Sequence, residues 1–456
     1  MNYFNPLRRS KFLVIAALSL SLIAGGSSAS YAAPATGVVA TKEISSSEYA
    51  AFLKDKFGVT LSKNVTRGEF FVNLVRSIKL TPTDQAVNFK DINSSSPYYA
   101  AAKTLYQHGI LASTSVNASG SLGAIHAVQL AVRAADLREL AYTYPKAKAE
   151  KSVSKLPVKA SSLNLASIQE LAAAVDTGLL PAAYYKELKQ GASLSKELAN
   201  VLIGKTLEFR GQFKQFLGYT GDPDIFAKLT DAYNQSTIIK SDHLQTIVDA
   251  ALEQGLITGY NLKDSRYESN FVASLSLVYG HSDLKHALQL IGLLRSEGIE
   301  AKVQFEPKTS AFVYLKEWGD PGVSDQYEVR QIANGNYIEY AKEYDLAFEF
   351  NTAADKQAFN AIIHKYAKKD KDGQSGLLAG SWWQPLYYSL TELKDYSVIT
   401  NNKIQIGRYY AQSFSLKEQS AAVIAGFKQV DPSVSVQHYD FWADAPFYRY
   451  LNGESS

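Results

Sequence analysis

The spacing of apolar residues changes once along this chain, and that change limits the folds open to it. Through residues 46 to about 259 they recur every three or four positions, and from about residue 270 they alternate. The first period buries a stripe of a helix and the second buries one face of a strand, so a helical part precedes a strand-containing part. In the second part Ala273, Leu275, Leu277 and Tyr279 alternate. A helical stripe of Leu284, Ala287, Leu288, Ile291 and Leu294 follows, closed by Gly298, and then Ala301, Val303 and Phe305 alternate again. The order recurs with Leu346, Phe348 and Phe350 before a helix holding Phe359, Ile362, Ile363 and Tyr366. It recurs once more with Ile404 and Ile406 before one holding Leu416, Val423, Ile424 and Phe427. Strand–helix–strand units of this length predict ferredoxin-like α+β sandwich domains over residues 266–456. The whole chain reads as an α+β multidomain protein.

The N-terminus has its own pattern. Arg8, Arg9 and Lys11 precede an apolar run over 12–25, and Ser30-Tyr31-Ala32 supplies small residues at a cleavage site. That layout predicts a secretory signal peptide over 1–32. The run is about 14 residues, short of the roughly 20 that span a bilayer, so no membrane span is expected after cleavage. Of 47 basic and 44 acidic residues, three basic ones lie in this leader, which leaves the remainder with 44 of each. A neutral chain has no bulk attraction to nucleic acid or to an anionic membrane. There is no cysteine and the sole methionine is Met1, so disulfides, thiolate nucleophiles and cysteine metal sites are excluded.

Residues 33–45 read as a flexible leader and 145–162, with Lys146, Lys148, Lys151, Lys155 and Lys159, as a solvated Lys-rich linker. The helical stretches on either side, 46–144 and 163–265, share a pattern. Glycine follows a helical run at Gly58, Gly109, Gly178 and Gly255, each with an aliphatic residue after it. Glycine suits the left-handed residue just past a helix, and the recurrence suggests a helix–loop–helix repeat.

Val65-Thr66-Arg67-Gly68-Glu69-Phe70, followed by Leu74-Val75-Arg76, resembles the helix start of surface-layer homology (SLH) domains, whose signature is Thr-Arg-Ala-Glu-Phe. Phe89-Lys90-Asp91-Ile92, Tyr98-Tyr99 and Gly109-Ile110 are similar to that family's opening motif and the helix after it, and Ala251 to Tyr260 is similar to its helix end. The resemblance makes 46–144 SLH-like helical repeats and 163–265 a degenerate copy. The second copy has Gly123-Ala124-Ile125-His126 at the signature and the third Ser195-Lys196-Glu197-Leu198, so only the first keeps the arginine. It implies a pseudo-threefold arrangement that binds a pyruvylated secondary cell-wall polysaccharide. Residues 278–303 also show a weak similarity to the SPOR domain, which implies peptidoglycan glycan as a partner.

Thr66 and Glu69 fit a capping box that needs no ligand: the hydroxyl accepts from the third helical amide and the carboxylate reaches back to the cap. Arg67 between them is expected to point outward, as a solvated side chain or as a two-pronged donor to a ligand carboxylate. With Asp91 and Tyr99 these form the candidate polysaccharide-binding set. His281 and His286 are five residues apart and share no helix face, and Asp370-Lys371-Asp372-Gly373 lacks the distal glutamate of a calcium loop, so no metal site is expected. The aromatics of 381–388 and 439–450 suit a core or a sugar-stacking surface. No nucleophile elbow, phosphate loop or dinucleotide fingerprint occurs, and no cofactor is implied.

The reading is a secreted protein of the bacterial cell wall or cell surface, attached non-covalently to wall polysaccharide, with a C-terminal half of unknown binding role. A wall-anchored glycan-active enzyme and a self-assembling structural protein are the alternatives.

Overall fold

A computed structural model describes residues 43–366 and 386–454, and the signal peptide and the 370–376 loop lie outside them. Eight helices come first: α1 (Ser46–Phe57), α2 (Arg67–Ser77), α3 (Tyr99–Gln107), α4 (Ala124–Ala134), α5 (Arg138–Tyr142), α6 (Lys146–Val153), α7 (Leu165–Asp176) and α8 (Lys196–Phe209). Ser45, Thr66, Asn164 and Ser195 cap α1, α2, α7 and α8 through side-chain oxygens. Their apolar stripes meet in one core that includes Phe52, Phe70, Phe71, Leu74, Leu105, Val128, Leu171 and Leu202. Gly58, Gly109, Gly178 and Gly255 all take positive φ, between 63° and 75°.

The Lys-rich stretch is not a solvated linker. It folds as α6, which buries Ala149, Ser152 and Val153 and packs along α7. Lys146, Lys148 and Lys151 lie in this short helix, and only two small apolar residues mark its buried side.

The second region comprises β1 (Gly218–Tyr219), α9 (Ile225–Gln235), α10 (Asp242–Glu253), β2 (Gly259–Asp264), β3 (Ser276–His281), α11 (Leu284–Ser296), β4 (Ala301–Tyr314), β5 (Tyr327–Gln331), β6 (Tyr337–Phe350), α12 (Ala353–Tyr366), β7 (Leu386–Ser389), β8 (Ser397–Ile406), β9 (Tyr409–Ser415), α13 (Ser420–Val430), β10 (Val436–Ala443) and α14 (Ala445–Leu451). It begins near Lys214 and not near residue 266. The apolar faces of α9 and α10 pack against strands, not against the eight earlier helices. The SLH-like helix end at 251–260 therefore belongs to α10 and β2 of this region.

The strands do not form ferredoxin-like sandwiches. Four strands run in the order β7–β3–β6–β4 and four more in the order β2–β9–β8–β10, every pairing antiparallel. In a sandwich each sheet would keep free edges. Here β4 pairs with β2 through Gly259↔Phe312 to Lys263↔Lys308, and β7 pairs with β10 through Ser389↔Trp442 and Tyr388↔Ala443. These two seams close an eight-stranded antiparallel barrel and remove the edges that an open sheet would expose. β1 and β5 attach outside the ring, on β4 and β6.

The polarity of this barrel is inverted relative to a greasy core. Leu277, Tyr279, Val303, Phe305, Leu346, Phe348 and Phe350 face outward, under Ile225 and Leu229 of α9, Leu290 and Leu294 of α11 and Phe359 of α12. On the other flank Leu262, Ile338, Ile404 and Ala411 lie under Leu244, Val248 and Leu252 of α10 and Phe427 of α13. The alternate residues fill the lumen. Lys263 Nζ lies 2.6 Å from Glu306 and 2.9 Å from Asp345, and Lys308 Nζ lies 2.8 Å from Asp345 and 3.5 Å from Glu343. Burial alone would raise the Asp345 pKa, but Lys263 and Lys308 outweigh it and hold it down at about 2. An apolar plug of Leu386, Ile399, Phe414 and Phe441 fills part of the rest, beside Phe447 and Leu451 of α14.

The helical region covers one end of the barrel. Glu48 of α1 contacts Lys302 and Lys214 at 2.8 Å, and both ammonium groups also reach Glu349, at 3.1 and 2.6 Å. Val272, just before β3, is part of the helical core.

Candidate functional site

The start of α2 holds the residues singled out from the sequence. Thr66 has extended backbone, φ −83° and ψ 164°, and its hydroxyl accepts from Glu69 N at 3.2 Å. The reciprocal half of the capping box does not form. Glu69 instead accepts from the amide and hydroxyl of Ser62, at 2.6 and 2.5 Å, and so fastens the loop between α1 and α2.

The first-turn amides are also taken. Arg67 N donates to Gly120 O at 3.0 Å and Gly68 N to Ala118 O at 2.8 Å, so a ligand does not meet bare amides there. The arginine does not project freely outward either. Its Nε donates to Val116 O at 2.7 Å, and its guanidinium carbon stands 5.9 Å from the centre of the Phe71 ring. Among the described residues that Nε bond is the only side-chain hydrogen bond of Arg67, which leaves the two terminal nitrogens as its donor edge. Partial burial lowers the Arg67 pKa, and the charge of Asp91 works against that shift.

Asp91 grips the same loop from the other side, accepting from Val116 N at 2.8 Å and Asn117 N at 2.6 Å. Those two bonds, aided by Arg67, lower its pKa. The structure thus joins Arg67 and Asp91 around one loop, 116–120, with Thr66 bridged to Ser121 at its end, while Glu69 holds the separate loop before α2. Tyr99 stands apart: its hydroxyl donates to Val87 O at 2.9 Å and its ring meets Phe89 edge-on at 5.8 Å. Gly68 occupies the alanine position of the signature because Tyr98 lies on it, and a Cβ there would come within 2.5 Å of that ring.

The starts of α2, α4 and α8 are linked side by side. Short bridges join Thr66 to Ser121 and Gly123 to Ser193, and the hydroxyls of Ser121 and Ser193 lie 2.9 Å apart. His126, one turn into α4, has its pKa lowered by burial and then by Arg67 and Arg133. This neighbour of Arg67 was absent from the sequence-derived set. The signal was its place at the second signature position, where the pattern departs from Thr-Arg.

The barrel lumen was missed altogether. Lys302, Gln304, Glu306 and Lys308 alternate with Val303 and Phe305 on β4, a spacing that reads as one buried and one solvated face. Both faces are buried.

The S-layer homology domain profile matches residues 88–115, which run from just before Phe89 and Asp91 through α3. No curated protein matches the chain. None of the described helices is long and apolar enough to cross a membrane.

Proposed function

We propose that this chain, an SLH domain protein and thus one associated with the cell surface and its wall, attaches non-covalently to a secondary cell-wall polysaccharide through the start of α2. One observation carries the reading. The matched segment contains Asp91, and Asp91 and Arg67 clasp one loop, so the family segment and the signature helix form a single unit. In that unit Asp91, Thr66 and Glu69 position the loop and the helix start, while Tyr99 packs behind them. Arg67 is the contact, and its terminal nitrogens suit the two oxygens of a pyruvyl ketal carboxylate. Secretion, through the leader at 1–32, belongs to the same proposal.

The test is cosedimentation with purified cell walls beside a melting curve for each variant. Arg67→Ala is expected to weaken binding by roughly 1.5–3 kcal/mol, the range for hydrogen bonds to charged groups. Arg67→Lys restores little of it, because an ammonium cannot make the paired contact. Thr66→Ala costs about 1 kcal/mol of stability through the lost cap and leaves wall affinity intact. Walls stripped of polysaccharide, or carrying it without pyruvate, should retain none of the arginine-dependent binding. Equal binding by Arg67→Ala and the parent would end the role assigned to this residue.

A further inference from the structure

At the end of the barrel away from Glu48 a cavity of about 740 Å³ opens. It lies beyond Ser310, eight residues along β4 from Lys302, which is roughly 26 Å at strand rise. That volume is within the usual range for a small-molecule site, about 300–1,000 Å³.

Its floor is polar and built. Lys308, 3% exposed, reaches Asp345 at 2.8 Å and Glu343 at 3.5 Å. Ser310 Oγ contacts Asn261 Oδ1 at 2.8 Å and also bonds Glu343. Gly280 makes room for this pair, since a Cβ there would lie 2.8 Å from both Lys308 Nζ and Asp345 Oδ1. Gln412 lines the same floor at 6% exposure, and its amide oxygen is a buried acceptor with no hydrogen-bond partner among the described residues. The walls are aromatic: Phe312, Phe414 and Phe447, with Trp318 and Tyr450 about half exposed at 48% and 52%.

Each feature excludes a class of occupant. A hydrocarbon would strip water from Lys308, Glu343, Ser310 and Gln412 and return no hydrogen bonds. An anion would find the Lys308 ammonium already held by Asp345 and Glu343 and Lys285 beside Asp283 at 3.7 Å, and a cation would find Glu343 already held by Lys308 and Ser310. What remains is a neutral molecule with hydroxyls on its edges and apolar faces for the rings. We infer that the barrel mouth binds a neutral oligosaccharide of pyranose rings, with Trp318 stacking on it and Ser310 and Gln412 meeting its hydroxyls. This site is separate from Arg67, at the other end of the barrel from helices α1 to α8.

The test is calorimetric titration of the full chain with the β-1,4 tetramers of N-acetylglucosamine and of glucose, with inorganic phosphate and laurate as further probes. At least one tetramer is expected to bind one-to-one and to shift the tryptophan emission. Trp318→Ala, an exposed position, should weaken it about tenfold, the size of a stacking contact. Gln412→Leu should weaken it as well. Arg67→Ala should leave it unchanged, which separates this site from the wall contact. Silence with both tetramers at millimolar concentration would overturn the inference, as would binding of phosphate or laurate in their place. Tetramer binding that Trp318→Ala leaves intact would also overturn it, and that variant decides even if Gln412→Leu does not fold.

Discussion

In the helical region charge is a local exception: Glu170, fully buried, accepts from Arg133 at 2.7 and 2.9 Å, from Gln129 at 3.0 Å and from Tyr142 at 3.2 Å, and apolar side chains surround the group. In the barrel charge is the filling. Lys263, Glu306, Lys308, Asp345, Lys302 and Glu349 lie inside beside one apolar plug, and the larger apolar clusters lie on the outer wall beneath α9 to α13. The difference shows what each region needs from its helices. In the first they are the core. In the second they cover a sheet whose outer face would otherwise be an exposed apolar surface, so α9 and α10 belong to the barrel despite following the helical pattern of the first half.

The largest expected effect tests whether the lumen charges are coupled. Asp345→Ala removes the carboxylate that Lys263 and Lys308 share, leaving them only Glu306 and Glu343, and is expected to cost roughly 3–5 kcal/mol, the usual loss on breaking a buried pair. All four tryptophans, at 318, 382, 383 and 442, follow residue 213, so tryptophan emission during denaturation carries no signal from the helical region. Glu170→Ala in the helical region should cost less, roughly 1.5–3 kcal/mol, because the Arg133 side chain is 18% exposed and can turn to water. Far-UV circular dichroism reads that loss. Equal losses at the two sites would erase the distinction between an isolated buried pair and a charged filling.

Glu48→Gln addresses the junction. Lys214 and Lys302 keep Glu349 when the Glu48 charge is removed, so stability should fall by only about 1 kcal/mol. The tryptophan and dichroism transitions should move apart. Transitions that stay superimposed would mean that the two regions unfold as one body without this contact.

The last effect, absent at neutral pH, is a pH slope. Burial, then His286 with a ring nitrogen 2.8 Å away, pushes His281 down from 6.5 to about 3; Asp283 opposes that shift, and Lys308 and Lys285 add to it. The folded barrel therefore holds His281 neutral where the unfolded chain protonates it. Its contribution is complete above pH 6.5 and is lost as pH falls toward 3. His281→Gln should flatten the melting temperature across that window, and a slope as steep as the parent's would assign the acid sensitivity to other groups.

Much of the helical region was legible because its signals are local. The Thr66 cap, the left-handed glycines and the spacing of Phe70, Phe71 and Leu74 each lie within a turn or two of what they determine. The α6 helix escaped because its three lysines hide two small contacts, Ala149 and Val153. At the candidate site Arg67, Asp91 and Glu69 were found by pattern, but their partners were not. Val116 and Gly120 contribute backbone groups, which carry no residue-type signature, and Ser62 adds a hydroxyl to its amide from a loop seven residues before Glu69.

The sequence by itself determined where helices and strands alternate, the absence of sulfur chemistry and the SLH-like unit around α2 and α3. Only the tertiary structure decided that the strands close into a barrel and that charge points inward. Periodicity reports that a strand has two different faces, and it is silent on which face meets helices and which meets other strands. The local strand–helix–strand connectivity also fits the expected open sandwich. Closure rests on the β4–β2 and β7–β10 seams, which join residues some 50 apart in sequence. Pairings so distant in sequence are selected by the folded whole and leave no local trace.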